Sequence, residues 1–163
     1  MTIRSKWAQE PFELNRAMDY SSVERFNGKP VGFWYDVDGD WERFCRAERW
    51  GIYTLRYRYE LELNMDRILQ VTNHEEFQKF CDRFWIGAPV EFRAFLKPAR
   101  FGEEIDWFEV REQYDGIEIA PYMWKFRLNY DWYYGWDCAS GCVWNLDAIT
   151  SMRLIRKRHC RVA

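Results

Sequence analysis

A carboxylate set between two isoleucines is the first feature of this sequence that raises a chemical question. In Tyr-Asp-Gly-Ile-Glu-Ile-Ala-Pro-Tyr, residues 114–122, Glu118 lies on a short strand entered through an Asp-Gly turn. Strand alternation turns its side chain away from Ile117 and Ile119, so with both isoleucines in a core the carboxylate faces either solvent or a cleft. A second acid, Asp137 in Gly-Trp-Asp-Cys, reads as a turn residue capping a loop or as a second cleft carboxylate. Around them the chain carries 10 Trp, 10 Tyr and 12 Phe, an aromatic share of 20%. That exceeds what an aliphatic core needs. Aromatic faces stack on flat heterocycles, and Trp and Tyr add a hydrogen-bonding tip.

Other chemistries have less support. Cys45, Cys81, Cys138, Cys142 and Cys160 form no Cys-x-x-Cys pair, and only Cys138, Cys142, His159 and Cys160 offer material for zinc, so no structural metal is expected. Reduced thiols fit best, with Cys45 and Cys81 on apolar helix faces as small core residues. His74 begins a helix beside Glu75 and Glu76, and His159 sits in a basic tail, so neither Ser-His-Asp nor Cys-His catalysis is expected. No glycine-rich phosphate loop is present.

The elements that must position these residues read as follows. Val31–Tyr35 is a short buried strand, and Asp40 caps a helix over 41–49, broken by Gly51. Tyr53–Leu63 alternates Leu55, Tyr57, Tyr59, Leu61 and Leu63 with polar residues, the pattern of an antiparallel strand with one wet face. Arg67–Val71 is a shorter strand. Asn73 and Glu76 open a helix whose Phe77, Phe80, Cys81 and Phe84 share one face. Residues 86–101 are irregular, 104–113 form a short helix, 123–138 form an aromatic loop, and 142–145 and 152–158 are strands. The whole predicts one α+β domain over 1–163, mostly antiparallel sheet with short helices.

The chain's net charge of −2 and pI near 5.8 do not mark it as a general nucleic-acid binder. Its last twelve residues are the exception. Arg153, Arg156, Lys157, Arg158 and Arg161 give this tail +5 and leave −7 for residues 1–151, so nucleic-acid contact, if any, is expected there. No apolar run reaches the ~20 residues of a membrane span, and Met-Thr-Ile-Arg-Ser-Lys-Trp has no targeting segment. A cytoplasmic protein without membrane contact is expected.

Three short pieces, in order, resemble the ADP-ribosyltransferase fold of bacterial toxins and poly-ADP-ribose polymerases. Gly32-Phe33-Trp34-Tyr35 followed by the helix from Trp41 to Cys45 is similar to the strand and helix that line that family's NAD pocket. Tyr114-Asp-Gly-Ile117 resembles a strand of many bacterial members. Ser140-Gly-Cys-Val-Trp-Asn-Leu-Asp-Ala-Ile149 is similar to the late strand that the catalytic glutamate opens. The resemblance implies NAD as substrate and an ADP-ribosyltransferase-like activity of the bacterial or phage effector kind. It places Tyr35, or its neighbour Trp34, against nicotinamide, and Arg4 on the first strand beside the ribose. The sequence departs from the family at Ser140, which stands where the glutamate belongs, so Glu118 or Asp137 would have to supply the charge that supports an oxocarbenium-like transition state.

Two further readings stand beside this one. A non-catalytic binding module would use the same aromatic cleft for a nucleotide or protein partner, with the Trp and Tyr residues of 122–136 as its recognition surface. A small acidic inhibitor of a basic partner fits the −7 of residues 1–151. A carboxylate within reach of the nicotinamide ribose separates the enzyme from the binding module.

Overall fold

The computed structural model describes residues 2–20, 28–86 and 104–157. The elements are β1 (Arg4–Ala8), β2 (Phe33–Val37), α1 (Asp40–Ala47), β3 (Tyr57–Leu63), β4 (Ile68–Val71), α2 (His74–Phe84), β5 (Trp85–Ile86), β6 (Glu104–Ile105), α3 (Trp107–Gln113), β7 (Gly116–Ile119), α4 (Asp131–Tyr134), β8 (Ser140–Val143) and β9 (Ile149–Lys157). Seven strands form one sheet in the order β4-β7-β8-β2-β1-β3-β9, and β5 pairs with β6 alone. Every contact in the large sheet is antiparallel except β4 with β7. This is the expected α+β architecture with a mostly antiparallel sheet.

Local sequence explains most of these boundaries. Asn73 accepts a hydrogen bond from the Glu76 amide, and the Glu76 carboxylate returns to the Thr72 amide and hydroxyl, so orphan donors at the start of α2 are satisfied. Asp106 does the same for α3 through Phe108 and Glu109. Asp40 is not the cap of α1. It is the first helical residue, behind Gly39 in the left-handed region (φ 77°), and its carboxylate accepts from Arg43 and the Ala139 amide. The strand expected from Tyr53 begins at Tyr57, because residues 52–54 make a tight turn that buries Leu55 beside Trp7 and Cys45. The helix expected from 104 begins at Trp107. Most of the segment read as irregular, 87–101, lies outside the described residues.

The register defines two faces of the sheet. Ile119, Ser140 and Asp36 face each other across β7, β8 and β2, and Asp36 faces Ser5 on β1. Residues next to them in each strand point the opposite way. On this first face Ile117, Ile119 and Cys142 pack under the aromatic side chains of α2, α3 and residues 126–136. The aromatic loop expected at 123–138 is largely core, with Trp132, Tyr133 and Trp136 at most 1% exposed. Phe77 contacts Phe126, Trp132 and Tyr133 at centroid distances of 4.6, 5.3 and 4.9 Å. The recognition surface read over 122–136 is thus reduced to Trp124 and Tyr134, which are exposed. The second face carries Tyr35, Gly141, Glu118 and Arg4, and Phe12 crosses it against Phe33 and Tyr59.

Candidate functional site

The six residues singled out by sequence separate onto the two faces. Arg4, Tyr35 and Glu118 meet on the second face. Arg4 Nε and Nη2 donate to the two oxygens of Glu118 at 2.6 and 2.9 Å, and the Tyr35 hydroxyl donates to Oε2 at 2.9 Å. Strand pairing brings them there: Glu118 faces Gly141, which faces Tyr35, and the ring lies across a position where a Cβ would overlap it. The Glu118 side chain is only 7% exposed. Burial and the adjacent carboxylate hold the Tyr35 hydroxyl well above its usual pKa. Burial pulls on the Arg4 guanidinium, but Glu118 outweighs it and keeps Arg4 firmly protonated. An opening of about 600 Å³ at the sheet end is walled in part by this pair. All three charged or polar tips are already engaged with one another.

Trp34, Asp137 and Ser140 belong to the first face, where they line a separate cavity of about 370 Å³. Its walls are five tryptophans, Trp7, Trp34, Trp41, Trp50 and Trp136. Each is brought there by a different local feature. Trp34 and Trp7 project from β2 and β1, Trp41 from the first turn of α1, and Trp50 from the turn that ends that helix. Trp136 follows α4 and meets Trp34 edge to face at 4.8 Å. Its indole nitrogen has no hydrogen-bond partner among the described residues. Ser140 is buried and donates its hydroxyl to the Cys138 carbonyl at 3.0 Å. Asp137 stands 3.6 Å from Arg127, and burial raises its carboxyl pKa against the pull of Lys29 and Arg127.

Asp36, which sequence reading passed over, lines the same cavity. It is 4% exposed, and neither carboxylate oxygen has a hydrogen-bond partner among the described residues. Burial pushes its pKa up to about 6, against the opposing influence of Arg58 and the Trp41 amide. Its neighbours on either side are Ser5 and Ser140, so the middle strand of a three-strand row carries the one acid. A signal was present in the sequence. Two residues beyond Trp34, alternation places position 36 on the face that Trp34 shares. Buried polar groups are normally paired, and an unpaired buried carboxylate costs free energy that a cationic or hydrogen-bond-donating ligand would recover.

Compared with known proteins, the chain matches no family model, no curated protein and no solved structure. Among the described residues, no group of His, Cys, Asp or Glu is arranged to hold a metal ion, and no helix is long and apolar enough to cross a membrane. Within the cavity the available chemistry is stacking on indole faces, the acids Asp36 and Asp137, the ammonium groups of Lys6 and Lys29, and the hydroxyls of Ser5, Thr54 and Ser140.

Proposed function

We propose that the chain binds NAD in the tryptophan cavity and transfers ADP-ribose to a macromolecular acceptor, with Asp36 in the role that a glutamate at position 140 would otherwise fill. The observation that carries this reading is the unpartnered Asp36 carboxylate directly across the strand pair from Ser140. Trp34 and its neighbours supply faces for nicotinamide, which is flat and cationic in NAD. As the C–N glycosidic bond breaks, its electron pair leaves with nicotinamide and positive charge develops on the ribose. A carboxylate fixed beforehand in a water-poor cavity stabilises that charge without reorganising. The acceptor nucleophile then bonds to the ribose carbon and loses its proton to solvent or to Asp137. Arg156 and Lys157, exposed on β9, suit an acidic protein or nucleic-acid acceptor, while Arg158 and Arg161 lie outside the described residues.

In this reading Glu118, Arg4 and Tyr35 hold β7, β8, β2 and β1 together and do not touch substrate. The test is nicotinamide release and label transfer from NAD labelled on adenine, with and without cell lysate. Asp36→Asn and Trp34→Ala are expected to lose release by at least a hundredfold, as when a preorganised electrostatic group is removed. Asp137→Asn keeps release. Full activity in Asp36→Asn would sink the assignment. The second reading, a binding module, is favoured by Ser140, which brings no charge and spends its hydroxyl on Cys138. Protection against heat by NAD without any nicotinamide release would decide for it.

A further inference from the structure

The tryptophan cavity also contains a cation that meets no carboxylate among the described residues. Lys29 lines it, with Nζ 5.3 Å from the centre of the Trp34 ring. Its stem runs so close over Gly135 that a Cβ there would overlap Cε. The absence of a side chain at Gly135 therefore makes room for the lysine in this position. Asp137, the acid that most affects it, lies against Arg127, and Lys29 forms no ion pair among the described residues. Burial lowers the pKa of the ammonium group, and Asp137 only partly offsets this. The cavity thus holds two opposite charges that do not pair with each other: Lys29 meets the face of Trp34 but no carboxylate among the described residues, and Asp36 feels Arg58 at a distance and the Trp41 amide. Withdrawing an ammonium from water without a partner costs free energy, and a charge-assisted hydrogen bond to an anion recovers it.

We propose that the ligand of this cavity carries a phosphate group held by Lys29, so that the enclosed part is a phosphorylated ring-bearing sugar with its ring on Trp34. The inference rests on the NAD reading above and adds to it that the nicotinamide-side phosphate is bound inside the cavity by this lysine. A lysine suits the task because its three donors on a single carbon stem follow a phosphate without demanding a fixed planar geometry.

The experiment is calorimetric titration of the wild type, Lys29→Gln and Lys29→Arg with nicotinamide riboside, nicotinamide mononucleotide and NAD. The mononucleotide is expected to bind the wild type at least tenfold more tightly than the riboside, by a margin that narrows as salt is raised. Lys29→Gln removes that margin and leaves riboside affinity unchanged, and Lys29→Arg restores part of it. Thermal melting checks that Lys29→Gln remains folded. Equal affinity of riboside and mononucleotide for the wild type, or equal weakening of both in Lys29→Gln, overturns the role of Lys29 and leaves NAD binding intact. Failure of all three compounds to bind removes the NAD reading and this inference together.

Discussion

Two buried acids on opposite faces of one sheet are in contrasting states. Glu118 has its charge met by a bidentate guanidinium and a phenol, whereas Asp36 has no such partner. Removing one member of a buried pair leaves the other uncompensated, so Arg4→Met is expected to cost about 3 kcal/mol in urea unfolding. Tyr35→Phe, which removes one hydrogen bond, is expected to cost about 1 kcal/mol. Asp36 behaves in the opposite sense. Its pKa rises from 3.8 to about 6 on folding, so between those values the native state retains a proton that the unfolded chain has released. Stability from this group is greatest below about pH 4 and falls as pH rises to about 6. Asp36→Asn is therefore expected to raise the melting temperature near pH 7, by at most about 3 kcal/mol in free energy, and to have little effect near pH 4. Under the proposed function the same ionisation governs ligand affinity. Affinity for a ring that is cationic when bound should fall about tenfold from pH 7 to pH 5 in the wild type and stay level in Asp36→Asn.

At the scale of elements, the sheet depends on close approaches that tolerate no added atoms. Tyr35 reaches Glu118 only because Gly141, on the strand between them, has no side chain. Gly141→Ala would force the ring off its path, and because neighbours on both sides pin β8, the strand cannot yield. The expected loss is about 3 kcal/mol in denaturant unfolding, larger than for Tyr35→Phe, since it adds overpacking to the lost hydrogen bond. The helices α2 and α3 were legible because capping residues and a 3.6-residue apolar period act within one turn. The residue pattern of β1 does not announce a strand, and only the resemblance places Arg4 on one. Arg4-Ser-Lys-Trp-Ala looks polar, yet Ser5 and Trp7 are its buried residues. A serine facing in and an arginine facing a buried acid invert the usual pattern, and they make sense only with β2 on one side and β3 on the other.

At the scale of the whole molecule, packing decides what is reachable. Cys45, Cys81, Cys138 and Cys142 are buried thiols in no disulfide, and burial raises the thiol pKa of Cys45, Cys138 and Cys142. Iodoacetamide is expected to leave these four unmodified in the native protein and to label them in denaturant, as followed by peptide mass spectrometry. Native labelling at Cys142 would contradict the packing of β8 under the aromatic core. The α+β class, the mostly antiparallel sheet and the two main helices were set by local signals: apolar period, turn residues and caps. The pairing of Arg4 with Glu118 across 114 residues, and the meeting of Asp36 with Ser5 and Ser140 in a cavity walled by five tryptophans, were decided by the tertiary structure. Strand alternation fixes which residues of one strand share a face, but the order and register of strands distant in sequence determine which acid finds a partner and which is left without one.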